Sequence, residues 1–101
     1  MIESIGERSQ MIKEAVAIAT GVDIPDFMVG KNRDFQRAAR KVAIEIYTDN
    51  LGFMGNNWIA DQLGYGGSRR TFEHLDKKRL ELSVYIKAQV IYDKMVKEAK
   101  Q

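Results

Sequence analysis

Ser68-Arg69-Arg70-Thr71 sets two guanidiniums between two hydroxyls. The run follows the Gly-rich stretch Gly64-Tyr65-Gly66-Gly67 and opens a helical region, while Asn56 to Leu63 before the glycines reads as a brief helix. Helix, turn, helix is the grammar of a helix-turn-helix, whose second helix points its first turn at base edges in the major groove. Arg grips O6 and N7 of guanine with two hydrogen bonds, and Thr offers a hydroxyl or a methyl to thymine. Amides at that helix N-terminus favour phosphate. Lys77, farther along the same helix, adds a cation. The pattern also fits a solvated face on two helices joined by a Gly turn.

A second cluster, Lys31, Arg33, Arg37, Arg40 and Lys41, lies half on a loop and half on the start of a helix. Cations there oppose the helix dipole, at about a few tenths of a kcal/mol each, which hints at an anionic partner. Asp34 and Glu45 offset some of this charge, and surface pairs of that kind are worth little. The net charge is only +2, so the distribution is more informative than the total. Residues 1–30 hold two basic and five acidic groups, and residues 31–79 hold ten against six.

Other chemistry is sparse. There is no Cys and one His, so a disulfide framework and a Cys-based zinc site are excluded. His74 suits capping or packing, since a single unpartnered imidazole makes a poor catalyst. Asp23, Asp26, Asp49 and Asp61 lack metal-ligand spacing, which argues against a nuclease. No phosphate-binding Gly-x-x-x-x-Gly-Lys-Ser/Thr loop occurs. No apolar run reaches the roughly 20 residues of a membrane helix, and Met1-Ile2-Glu3-Ser4 lacks the order of a signal peptide. The expectation is a cytoplasmic, nucleoid-associated protein, not an enzyme, with no cofactor, metal or small-molecule substrate.

The elements that must position these residues are helical. With 101 residues, 45% of them apolar, the chain suits one compact domain. Ile12, Ala15, Val16 and Ala19 predict a helix over about 9–20 that stops at Gly21, and Pro25 suits the first turn of a small helix ending near Gly30. Asp34 can cap a helix of about 15 residues with an apolar stripe of Phe35, Ala38, Ala39, Val42, Ile46 and Leu51, its other face carrying Arg37, Arg40 and Lys41. Asn56 or Asn57 caps the next helix, whose Trp58, Ile59 and Leu63 face inward. From Ser68, Phe72, Leu75, Arg79, Leu82, Ile86 and Gln89, with Val90 beside the last step, predict packing along one long helix or two with a break near Ser83. Strand alternation is absent, so the fold class is all-α, with about five or six helices.

In this order the features resemble the C-terminal DNA-binding domain of the bacterial chromosomal replication initiator DnaA, a Trp-repressor-like helix-turn-helix, over about residues 10–80. Ile12-Lys13-Glu14-Ala15-Val16-Ala17 is similar to the family's Ile-x-x-Val-Ala helix, and Gly30-Lys31-Asn32-Arg33 to its basic loop. Ala39-Arg40-Lys41-Val42-Ala43 resembles the Ala-Arg-Gln-x-Ala helix, and Ile59 to Gly64 with Gly66-Gly67 the Ile-Gly-x-x-Phe-Gly-Gly turn. Ser68 to Lys78 resembles the signature Asp-His-Thr-Thr-Val-x-His-Ala-x-x-Lys, with identities at Thr71, His74 and Lys78. The resemblance implies that Arg40 reaches the minor groove, that Arg69, Arg70 and Thr71 read the major groove, and that Lys31 and Arg33 hold phosphate. Ser68-Arg69-Arg70 replaces Asp-His-Thr and the turn is one residue longer, so the family's usual origin box is not the expected target.

These observations lead to the expectation of double-stranded DNA binding through a helix-turn-helix at about 56–80, in replication initiation or transcription regulation, without ATPase activity. The alternative is a helical interaction module. Tyr85, Ile86, Val90, Ile91, Met95 and Val96 in the extension at about 83–98 leave open core packing or a homodimer interface.

Overall fold

Ser4 opens the first helix: its backbone is extended and its Oγ accepts from the Glu7 N–H at 3.1 Å. Helix α1 (Ile5–Thr20) therefore starts earlier than the periodicity predicts, and Ser9 lies inside it on the buried face. It stops where expected. Gly21 adopts a left-handed φ of 73° and its N–H donates to Ala17 O, the conformation that favours glycine after a helix. The computed structural model describes residues 4–28, 30, 33–64 and 82–99 (Leu82 by its backbone alone). Among these, the elements after α1 are α2 (Ile24–Phe27), α3 (Asp34–Leu51), a 3-10 turn (Gly52–Met54), α4 (Asn56–Gln62) and α5 (Leu82–Ala99). No strand occurs among the described residues, and the fold is all-α.

α2 is a single turn with Pro25 in its first turn, and it buries Phe27. It ends at Phe27, short of Gly30. α3 begins at Asp34, and the residue in the capping position is Arg33, whose N–H donates to Gln36 Oε1 at 3.2 Å. Ala39, Val42, Ile46 and Leu51 are buried as the stripe predicts, joined by Ala43 and Tyr47. Ala38 is only half-buried, and Phe35 departs furthest from the stripe, at 53% exposed. With Arg40, Ala43 and Tyr47 also inside, the buried face is centred around the helix from Phe35, which stays at its edge on the first turn. α4 follows Gly55, which holds φ 89° in the capping position expected of Asn56 or Asn57. Its Ile59 and Leu63 are buried, and Trp58 is half-buried against the core.

α1, α3 and α5 form the core, α1 packing most extensively on α5. The C-terminal helix is thus part of the domain; it is described from Leu82 onward, and the chain before it, where a break near Ser83 is the alternative to one long helix, lies outside the described residues. It turns Ala88 and Tyr92 inward, while Ile86 and Val90, expected on the packing stripe, are 50% and 60% exposed. Ala88 and Tyr92 share the buried side of the helix, and Val90, two residues from each, points about 160° away from both. Two polar contacts set the register of α5 against α3. Asn50 and Gln89 exchange amide hydrogen bonds at 2.7 and 3.0 Å, and the Tyr85 hydroxyl donates to Asp49 Oδ2.

A buried hydroxyl cluster ties α1, α3 and α4 together. Tyr47 OH and Ser9 Oγ lie 2.6 Å apart, Ser9 Oγ donates to Gln62 Oε1 at 2.7 Å, and Ser9 O is 2.9 Å from Tyr47 OH. The Tyr47 ring meets Trp58 edge-on, with centroids 6.0 Å apart. Burial of the phenol pushes its pKa up from 10.0 to about 12. The folded state holds this proton more tightly than the unfolded chain, so the stability it confers is complete below pH 10 and is lost as pH rises toward about 12. Tyr47→Phe should cost about 1–2 kcal/mol at neutral pH. Between pH 8 and pH 11 the wild type should lose about 1 kcal/mol more than the variant in urea unfolding. Equal losses in both proteins would show that the phenol ionises freely in the folded state.

Candidate nucleic-acid interface

Helix α4, expected to open the motif, is held from three sides. Ile59, Ala60 and Leu63 enter the core, Trp58 lies against Tyr47, and Gln62 takes the Ser9 hydrogen bond. The helix closes with the Leu63 and Gly64 amides donating to Ala60 O and Asp61 O, and Gly64 takes a φ of 86°, in the left-handed region. Ser68, Arg69, Arg70, Thr71 and Lys77 lie outside the described residues, as do His74 and Lys31. Of the expected motif, only the segment through Gly64 is among the described residues.

The remaining sequence candidates all sit on the start of α3, where the structure separates them. Arg33 and Arg37 are one turn apart and exposed. Arg37 Nη2 reaches Asp34 Oδ1 at 3.1 Å in a solvent-exposed pair, which contributes little to stability and is easily exchanged for another anion. Planar guanidiniums on one face suit phosphate oxygens.

Arg40, expected to reach a minor groove, is turned into the protein. It is 3% exposed, its Nε donates to Phe27 O at 2.9 Å and its Nη2 to Met28 O at 2.9 Å. Those carbonyls close α2, whose C-terminal end lacks further turns to satisfy them, and a cation there also complements the helix dipole. The guanidinium is committed to fastening α2 onto α3, and its place in the resemblance's groove-reading set gives way to this structural role.

Lys41 is the opposite case. Its Nζ is shielded from solvent and has no hydrogen-bond partner among the described residues. An ammonium in that state costs free energy that a partner would recover. Arg40 and Lys41 are adjacent in sequence and alike in charge, yet one is bonded inside and the other is not. The sequence holds one signal of this: Arg40 lies within Ala39, Val42 and Ala43, on the helical face that also carries Tyr47.

Among the described residues no three His, Cys, Asp or Glu side chains gather as metal ligands, and no helix is long and apolar enough to cross a membrane. No family model, characterised protein or solved structure matches the chain. None of these comparisons identifies the chain with the replication initiator domain, and that resemblance rests on its motif residues alone.

Substituting the three kinds of cation separates their roles. Arg40→Met should lower unfolding free energy by about 2–4 kcal/mol, because two carbonyls lose charged donors. Arg33→Ala and Arg37→Ala should stay within about 0.5 kcal/mol of wild type, and Lys41→Met should stabilise by about 1 kcal/mol. Urea denaturation checks all four, and an Arg40→Met protein as stable as wild type would remove the structural assignment.

Proposed function

We propose that this chain binds double-stranded DNA through the helix-turn-helix of residues 56–80, as a replication-initiator-like or transcription-regulator-like domain that performs no catalysis. The observation that carries the reading is the anchoring of α4. Its inner face is buried, its Gln62 is bonded to Ser9, and a left-handed Gly64 directs the chain onward four residues before Ser68-Arg69-Arg70-Thr71. A recognition segment must start from a fixed point if its first turn is to meet base edges in register.

Arg69, Arg70, Ser68 and Thr71 are assigned to base edges and adjoining phosphate, and Lys31, Arg33, Arg37 and Lys77 to the phosphate backbone. Lys41 joins the second group once its side chain swings out to meet a phosphate oxygen. Arg40 acts indirectly, by holding α2 and α3 together. In this reading the protein works in the cytoplasm on the nucleoid. The motif departs from the initiator family at Ser68-Arg69-Arg70, so its preferred site differs from the family's origin box.

A second reading is favoured by one observation: Ile86 and Val90, one turn apart on the outer face of α5, are half or more exposed. Such a pair fits a helical interaction module that self-associates through α5. Removing residues 84–101 is a poor probe of this, because it strips Ala88 and Tyr92 from the core.

The DNA reading is tested by fluorescence anisotropy on a preferred duplex and on unrelated duplexes. Arg69→Ala or Arg70→Ala should weaken binding to the preferred site by about 1–3 kcal/mol and relax the preference at one base pair. Arg33→Ala and Arg37→Ala should weaken all duplexes alike and reduce the salt slope by about 1. Unchanged duplex binding after both Arg69→Ala and Arg70→Ala would take the recognition role away from this segment.

A further inference from the structure

Two surfaces of this domain lack a partner among the described residues, and their chemistry is complementary. The first is an open groove of about 440 Å³ between the end of α1, the start of α2 and α5. Its apolar lining is Ala17, Ile18, Ile24, Pro25 and Met95, with Ile18 58% exposed, and its rim carries the carboxylates of Glu14 and Asp23. Both rim residues are exposed, and Glu14 Oε1 meets a neighbouring Gln10 Nε2 at the long distance of 3.5 Å. The second surface is the outer face of α5. There Ile86 and Val90 project among the exposed Lys87, Lys94 and Lys97, while Asp93 on the same face already accepts from Gln89 Nε2 at 2.9 Å.

We infer that the outer face of α5 from one copy of this chain docks in the α1–α2–α5 groove of a second copy, Ile86 and Val90 entering against Ile18 and the lysines facing Glu14 and Asp23. The inference rests on the self-association reading for the use of α5 and adds the receptor surface. Apolar anchors at i and i+4 laid into an apolar groove are a common mode of helix recognition. Charge selects the pairing. An α5 face meeting its own copy would set lysines against lysines, whereas the acidic rim attracts them. A domain cannot fill its own groove this way: Met95 lines the groove, and Val90, five residues earlier on the same helix, points about 140° away.

Because the two surfaces differ, the contact is head-to-tail. Each bound copy leaves one groove and one α5 face free, so association extends to rings or open chains. Docking by a handful of side chains makes it concentration-dependent and salt-sensitive.

The test is complementation by sedimentation velocity of the full chain. Ile18→Asp disables the groove and Val90→Asp disables the helix face, and both positions are exposed, so circular dichroism and melting should match wild type. Wild type should form oligomers that grow with concentration and shrink as salt rises. Each variant alone should be monomeric, and an equimolar mixture should form 1:1 heterodimers that grow no further, since one intact groove meets one intact α5 face. Wild type that stays monomeric up to about 1 mM, or Val90→Asp that assembles like wild type, overturns both this inference and the self-association reading. Monomeric Val90→Asp beside an Ile18→Asp protein that assembles like wild type overturns the groove alone, as does a mixture that stays monomeric.

Discussion

A phenol hydroxyl removed from water must find its partners inside the protein, and the way Tyr47 finds them constrains most of this domain. Its OH lies against both the side-chain and main-chain oxygens of Ser9, and Ser9 passes a hydrogen bond to Gln62. One residue from each of α1, α3 and α4 is thereby fixed to within hydrogen-bond tolerance. Leaving any of these groups unpaired in the interior costs about 1–3 kcal/mol, so the three helices have a strong preference for a single relative placement. Apolar packing of Ile12, Ile46, Ile59 and Leu63 supplies the drive to associate, but it tolerates sliding. The polar cluster does not. Asn50 with Gln89 and Asp49 with Tyr85 do the same for α5, so each described helix beyond α2 is registered by a polar contact.

α2 is registered by a cation. Arg40 reaches two carbonyls at the end of that single-turn helix, and without it a four-residue helix would depend on Phe27 to hold its position. This divides the basic residues at the start of α3 by direction. Arg33 and Arg37 point toward solvent, Arg37 in an exposed pair with Asp34, whereas Arg40 is part of the core. A charge cluster in sequence is thus several features in space: Arg33 and Arg37 point outward, Arg40 is inside, and Lys41, shielded as it stands, joins the proposed interface by swinging out.

The helical class, the stop at Gly21, the α3 stripe from Ala39 to Leu51 and the inward face of α4 were legible because each rests on local periodicity or a local backbone preference. The failures share a cause. Arg40, Phe35, Ile86 and Val90 were assigned from residue type or from a step pattern, but which face of a helix is buried is set by neighbours distant in sequence. Arg40 goes inside because carbonyls of α2 wait there, and Val90 stays outside because α1 and α3 both pack on the opposite side of α5. Ser4 as a cap was missed because the apolar repeat starts later than the helix does. Ser68 to Lys77 lie outside the described residues, and the anchoring of α4 through Gln62 depends on a contact 53 residues away that no local pattern records.

The central claim is that a helix-turn-helix launched from this anchored α4 reads duplex DNA. Its most direct test is selection from a random-sequence duplex pool, with anisotropy at about 50 and 200 mM salt and sequencing of the bound fraction. The account predicts an enriched motif containing guanine, and binding that weakens with salt at a log–log slope of about −0.9 for each phosphate neutralised. Absence of duplex binding at the lower salt would contradict it, and salt-sensitive binding without enrichment would contradict the assignment of Arg69 and Arg70 to base edges.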